Sequence, residues 1–337
     1  MSKVAIVILN WNGKGFLEKF LPGVLEFLPE NAELIIADNC STDDSVSFMK
    51  EKYPQVRLII NNENGGFAKG YNDALKHVDS EYYVLLNSDI EIKSDWINPV
   101  ISFMDSHPEV AICQPKILDQ KHPELLEYAG AAGGYIDYLG FPFCRGRIFQ
   151  ELEKNNDQFN DQREIFWCTG AAMFIRSKVY HDVKGFDESF FAHMEEIDMC
   201  WRVLNKGHKI YYNGESEVFH VGGGTLPKNN PRKAYLNFRN NLFMLVKNWP
   251  KKNFYPKLLF KLCLDGIAAT KFLFEGDFGQ FKAVFNSHMA LYGNFKRLLK
   301  IRKELEHTES KLPVYPKSIV LEHFLKGKKR FEELDNF

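Results

Sequence analysis

The chain has 337 residues, of which 45% are hydrophobic and 26% charged, with a formal net charge of -1. That excludes wholesale disorder, fits one large α/β domain with an appendage, and argues against a nucleic-acid binder. The average hides an asymmetry: from Val221 onward there are 22 Lys/Arg against 10 Asp/Glu, so an acidic body carries a basic tail.

Val4 to Leu9 is a continuous apolar run and predicts a strand buried on both faces. A helix is expected from Lys14 to Leu28, a second strand over Leu34 to Ala37, and a helix through Lys52 with a capping-box-like start at Ser41 and Asp44. Strands over Val56 to Ile60, Tyr82 to Leu86 and Val110 to Cys113 alternate with helices over Ala68 to His77 and Asp95 to Ser106. This βαβ rhythm predicts a mainly parallel sheet with helices on both faces. Glu124 to Asp161 reads as long loops or short hairpins. Phe166 to Ile175 reads as a strand and Glu195 to Asn205 as a helix, followed by short strands at Lys209 to Tyr212 and Glu217 to His220. After Pro231 the chain turns helical, amphipathic and basic. The expected division is a domain over 1–227, with halves 1–115 and 116–227, and a helical region over 228–337.

The six cysteines form no C-x-x-C pair and read as small buried hydrophobes in a reducing compartment. With neither a secretory leader nor an apolar stretch of about 18 residues, a cytoplasmic protein is expected.

Four polar clusters follow strands and should converge at one sheet edge, where open α/β sheets bind ligands. They are Leu9-Asn10-Trp11-Asn12-Gly13, Asp38-Asn39-Cys40-Ser41, Asn64-Gly65-Gly66-Phe67 through Asn72, and Asn87-Ser88-Asp89. Singly they read as caps and turns. Together they suit a nucleotide: Trp11 for a base, Asp38 for base or ribose, glycine backbone for phosphate. Asp89, just past a buried strand, is placed to hold Mg²⁺ or Mn²⁺ against a diphosphate. Glu195, Glu196 and Asp198 crowd a helix start. That arrangement suits the helix dipole, and it also makes one carboxylate easier to protonate, as a general base requires. Glu196 is the candidate, with Glu195 beside it, while Asp198 and Arg202 are spaced to pair on the helix. His220, before Gly222-Gly223-Gly224-Thr225, is a metal ligand, a phosphate contact or a core residue. Trp167 either stacks on a sugar or fills the core, and Thr169-Gly170 offers a close backbone approach to the sugar.

This ordered set, with Gly185-Phe186-Asp187-Glu188 and His220-x-Gly222-Gly223, resembles glycosyltransferase family 2, the inverting enzymes of the GT-A fold. The resemblance covers about Lys3 to Asn248 and is greatest to the rhamnosyltransferase-like branch of surface-polysaccharide assembly. It implies a GT-A Rossmann-like sheet and a nucleotide site at Leu9, Asn10, Trp11, Asp38, Asn64, Gly66, Phe67, Asn72 and Ser88. It further implies donor or acceptor sugar contacts at Trp167, Thr169 and Gly170, a metal at Asp89 with His220, and Glu196 as base. The donor would be dTDP-rhamnose or a UDP-sugar, the acceptor a surface glycan or lipid-linked oligosaccharide. Two positions depart from the family pattern: Glu196 stands where an Asp base is usual, and Asn87 takes the first acidic place of the D-x-D motif. The basic tail is either a helical brace or a peripheral contact with the inner face of the cell membrane, through Trp249 to Phe274 and Phe278 to Arg302. A sugar nucleotidyltransferase would want a longer, more basic loop after the first strand. A non-catalytic carbohydrate- or partner-binding module is the other alternative.

Overall fold

The structure, a computed structural model, describes residues 2–127, 130–222, 230–305 and 312–334. Its first half alternates strands β1 (Val4–Asn10), β2 (Ala32–Asp38), β3 (Arg57–Ile60) and β4 (Tyr82–Asn87) with helices α1 (Lys14–Glu26), α2 (Ser45–Lys52) and α3 (Gly66–Leu75). A two-residue strand β5 (Ile90–Glu91), helix α4 (Asn98–Ser106) and the long strand β6 (Val110–Asp119) follow. Strands β7 (Gly134–Asp137), β8 (Pro142–Cys144), β9 (Arg147–Ile148) and β10 (Glu151–Leu152) form hairpins. Then come β11 (Gln162–Glu164), β12 (Ala172–Arg176), α5 (Ser177–Asp182), α6 (Glu195–Asn205) and β13 (Lys209–His220). The chain continues through α7 (Pro231–Asn248), α8 (Phe254–Phe274), α9 (Phe278–Glu304), β14 (Val314–Tyr315) and α10 (Ile319–Phe324).

The fold is mixed α/β with a mainly parallel central sheet in the order β11-β13-β6-β12-β4-β1-β2-β3, β5 pairing with β13. Strands β3, β2, β1 and β4 run parallel, as do β6 and β13; β12 lies antiparallel between β4 and β6. Alternate residues of β1 enter two cores, Ala5 and Val7 on one face and Val4, Ile6 and Ile8 on the other. The uninterrupted apolar run of β1 reflects this burial on both faces.

A second sheet, β10-β9-β8-β7-β14, is closed by a strand from the far end of the chain. Asp137 fastens this junction. Its carboxylate accepts Leu139 N–H and Phe141 N–H at 2.9 Å and Ile319 N–H, at the start of α10, at 3.0 Å. Helix α9 packs along α7, and α8 against α9.

Several local expectations change. Ser41 does not cap α2: its Oγ accepts from Asn10 Nδ2 and Asn12 N–H, and the helix begins later, at Ser45. The residues over 166–171 are not strand. They are held by the Trp167 bridge to Gly134, and β12 starts at Ala172. The two short strands near 209–220 are one strand with an irregularity between Asn213 and Glu217. Cys40 and Cys263 are exposed, so only four of the six cysteines are buried.

Candidate active site

The carboxyl ends of β1, β2, β4, β6 and β13 and the start of β12 share one edge of the sheet. The four polar clusters are therefore neighbours. Asn10 is fully buried and donates Nδ2 to Asp38 Oδ1 at 3.0 Å. Asp38 Oδ2 accepts Ser41 N–H at 2.8 Å, which fixes the carboxylate in orientation. Asn10 Oδ1 is buried with no hydrogen-bond donor among the described residues. A β-carbon on Gly13 would lie 2.4 Å from that oxygen and 3.5 Å from Ser88 Oγ, so this turn admits little but glycine. Trp11 stands out at 48% exposed, with half-buried Leu9 behind it.

The third cluster is a packing hinge. Asn64 Oδ1 accepts from Asn39 Nδ2 at 3.0 Å and from Gly66 N–H at 2.9 Å. Gly66 has φ +78° and approaches Phe191 so closely that a β-carbon would meet its carbonyl oxygen at 2.4 Å. Phe67 N–H donates to that carbonyl at 2.7 Å. The Phe67 ring packs edge-on against Tyr71 and Phe186, and Gly170 leaves room for it. Two assigned residues are spent on the fold. Asn72 donates to Phe186 O and Glu188 Oε1 and accepts from Tyr180 OH and Phe186 N–H, which leaves its amide no free group for a nucleotide. Trp167 is buried, its Nε1 donates to Tyr135 O at 2.9 Å, and Gly134 packs against its ring, so it fills the core and offers no face to a sugar. Thr169 is buried and tied through its N–H to Gln114 Oε1, while Gly170 is half-buried at the sheet edge.

The β5–β13 pairing sets Ile90 opposite His220 and so brings Asp89, 131 residues away, to the end of β13. His220 Nε2 lies 3.2 Å from Asp89 Oδ1, and Nδ1 lies 3.4 Å from Glu127 Oε1, all three residues being buried. Burial disfavours a charge on His220. The hydrogen bonds to Asp89 and Glu127 outweigh it and push the imidazole up to about 10. Adjacent corners of an octahedron around Mg²⁺, with ligands at about 2.1 Å, stand about 3 Å apart. The Asp89–His220 pair, hydrogen-bonded as it stands, has that separation, and with the Nε2 proton displaced its oxygen-plus-imidazole donor set would fit Mn²⁺. The carboxylate on the other imidazole nitrogen orients the ring, as partners behind a metal-bound histidine do. Among the described residues no group of three or more His, Cys, Asp or Glu is gathered as a metal cage. Gly223, Gly224 and Thr225 lie outside the described residues.

Glu195 and Glu196 open α6, where the dipole favours negative charge. Glu195 is buried and Glu196 half-buried. Each has an enclosed Oε2 with no hydrogen-bond donor among the described residues. Burial raises both carboxyls above the ordinary range, and the Glu196 charge lifts Glu195 further. Asp198 instead is structural, pairing with Arg202 at 2.9 Å and Lys247 at 2.9 Å and accepting from Asn248.

The residues before Glu195 are held in an unusual path: Phe191, His193 and Met194 have φ of 64°, 70° and 70°. Helix α7 holds them there. Buried Asn240 directs Nδ2 at Phe190 O (3.0 Å), Ala192 O (2.9 Å) and His193 O (2.7 Å), and Arg239 donates to Ser189 O and Phe190 O. Burial, with Lys233 nearby, lowers His193 to about 4, so its imidazole is neutral. Sequence reasoning missed Asn240, Arg239, Lys247 and Glu127. The one signal was Asn240-Asn241 inside an apolar helix face. Contacts then run from Asn87 N–H to Ala171 O, from Gly170 to Phe67, and from Phe67 N–H to Phe191 O, so the Asp89 cluster and the Glu196 loop border one region. A depression of about 670 Å³ lined by Lys116, Asn160, Glu217 and Phe219 is separate. Phe219 alternates with His220 on β13 and faces the other way.

The sequence matches the model of glycosyl transferase family 2 over residues 5–183. It is 23% identical over 233 residues to the N-acetylglucosaminyl-diphospho-decaprenol L-rhamnosyltransferase of Mycobacterium tuberculosis, spanning 64% of this chain and 75% of that one. It is 24% identical over 226 residues to rhamnosyltransferase WbbL of Escherichia coli, spanning 64% and 83%. Among solved structures it is similar to GalNAc-T7 determined with UDP, GalNAc and Mn²⁺, at TM-score 0.62 and 13% identity, covering 90% of this chain and 54% of that one. That likeness is one of fold.

Proposed function

The chain belongs to glycosyl transferase family 2, and from that we propose that it moves a sugar from a nucleoside-diphosphate donor to a hydroxyl of a growing surface polysaccharide or lipid-linked glycan, inverting the anomeric carbon. Rhamnose as the sugar is in keeping with the two rhamnosyltransferases above. The observation that carries the reading is the meeting of Asp89 and His220 at 3.2 Å on the sheet edge that borders the loop of the unpartnered Glu196 oxygen.

In this reading the exposed Trp11 ring and Leu9 receive the base, and Asn10 and Asp38 meet its polar edge, with Asn10 Oδ1 free to accept an N–H. Ser88 lies beside them. Asn64, Gly66 and Phe67 serve by shaping the α3 start. Asp89 and His220 would hold Mg²⁺ or Mn²⁺, and such an ion would supply positive charge to offset a departing diphosphate. Glu127 keeps the imidazole turned toward Asp89. Glu196 Oε2 accepts the proton of the incoming hydroxyl, and burial makes it a stronger base than a solvated carboxylate. Glu195, with its higher proton affinity, stays neutral beside it and limits repulsion. The Thr169-Gly170 backbone borders the sugar. A lipid-linked acceptor would place the protein peripherally at the inner face of the cell membrane.

Glu196→Gln tests this. Loss of a general base lowers transfer by about 10²–10⁴-fold, while stabilisation by the nucleoside diphosphate with Mn²⁺ persists. Undiminished transfer by the variant would place the base elsewhere.

A further inference from the structure

Helix α8 is inside out. Its buried positions are Phe254, Leu258, Lys261, Asp265 and Ala269, so an ion pair lies on the inner face. Lys261 Nζ also sits 4.3 Å from the Phe141 ring centre, and Asp265 lies 3.8 Å from His288 Nε2. On the opposite face the spacing of Phe260, Cys263, Ile267 and Phe274 puts an apolar stripe in solvent, with Leu259 beside it. Leu259 is 65% exposed, Ile267 66% and Phe274 87%. Helix α9 continues the pattern with exposed Phe278, Phe285, Met289 and Tyr292, again on one helical face. Rolling α8 to hide its stripe would pull the Lys261–Asp265 pair out of its partners and set apolar groups against it. The buried pair therefore fixes which face looks outward.

We propose that the α8–α9 hairpin is a lipid-docking surface whose outward apolar face enters the headgroup region of an anionic bilayer. Charge selects this occupant over a second copy of the chain. Residues 254–304 hold nine Lys/Arg and four Asp/Glu, and exposed Lys282 and Lys296 flank the stripes, where their stems can reach back to phosphate. Two such basic surfaces repel each other, whereas an anionic leaflet attracts both. The acids at the turn are already engaged, Glu275 with Lys271 at 3.7 Å and Asp277 with Gln280 N–H at 3.0 Å. No helix among the described residues is long and apolar enough to cross a membrane, so the contact is interfacial. This extends the lipid-linked acceptor reading to a particular surface, and its test involves no sugar transfer.

The full chain is sedimented with vesicles of phosphatidylglycerol and phosphatidylcholine, and with phosphatidylcholine alone. Binding to the anionic vesicles is expected, weakening as salt rises, with little binding to the neutral ones. The double substitution Ile267→Glu with Phe274→Glu, at two solvent-facing positions, should cut the bound fraction at least tenfold and leave the unfolding temperature in place. Absence of wild-type binding to anionic vesicles, or equal binding by the double variant, overturns the proposal. So does a wild-type dimer that the same substitutions convert to monomer, because a second copy would then cover the face. Loss of transfer in Glu196→Gln with vesicle binding intact separates the two readings.

Discussion

Asn240→Ala tests how the loop before Glu195 is held. The side chain is buried, and its two amide hydrogens serve three carbonyls at 2.7–3.0 Å. Removing it forfeits two buried hydrogen bonds at about 1 kcal/mol each and strands carbonyls at about 1–3 kcal/mol, for a total of about 3–4 kcal/mol. At about 2–4 °C per kcal/mol for a domain of this class, the unfolding temperature should fall by about 10 °C. The kinetic effect is separate. Phe191, His193 and Met194 are left-handed, which costs on the order of 1 kcal/mol or more at each non-glycine residue and persists only under outside restraint. Without Asn240 the loop relaxes and carries the start of α6 with it. A displacement of about 1 Å at a reacting group lowers rate about 10²-fold. Scanning fluorimetry and initial rates at saturating and limiting donor measure both effects, and kcat should drop while donor KM stays put. A variant that loses stability but keeps kcat would refute the link from α7 through the loop to Glu196.

Lys247 touches both Asp187 and Asp198 in the interior. Lys247→Met should destabilise the protein by about 3–5 kcal/mol in urea unfolding, because half-buried Asp187 loses its lysine and buried Asp198 is left with Arg202 alone. Burial works against the Asp187 charge, yet Lys247 outweighs it and holds the group down to about 2. Its stabilising contribution is therefore complete above the ordinary 3.8 and lost as pH falls through about 2, and in Lys247→Met the loss should begin at higher pH. Trp11→Ala should raise donor KM by about tenfold, the worth of one stacked base, without changing the unfolding temperature. Trp167→Ala should do the reverse, costing about 3–5 kcal/mol with KM unmoved. Because burial raises Glu196, the transfer rate should climb with pH through an inflection well above the ordinary carboxylate value of about 4.3, and Glu196→Gln should abolish that inflection.

The parallel half of the sheet was legible because its signals are local. Each apolar run ends in a polar cluster, and parallel pairing puts those ends on one edge, so Asn10, Asp38 and Asn87 come together without long-range information. Asp89 and Glu196 were chosen for the same reason, as acids just past a strand and at a helix start. Trp167 and Asn72 could go either way in sequence. An indole or an amide beside a glycine turn reads alike whether it faces a ligand or a neighbouring backbone, and only the contacts with Tyr135, Phe186 and Tyr180 decide. Glu127 lay in a stretch without periodicity and gains its place from an imidazole 93 positions later. The role of α7 was invisible because its amphipathic pattern describes a face, not what the face meets. Asn240, Arg239 and Lys247 look like polar interruptions until the loop over 187–196 is laid against them.

The dependence of the Glu196 loop on α7 sets an order on biogenesis. Domains form from the amino end as the polypeptide is made, at about 5–20 residues per second. Every residue the family model matches, 5–183, is synthesised before Pro231. A nascent chain ending between those points already carries the sheet edge with Asn10 and Asp38 but has no Asn240 to hold the loop before Glu195. If Glu196 is the base proposed above, competence for transfer arrives only when the later helix docks, so a ribosome stalled in that interval would display the family's hallmarks on an unfinished enzyme.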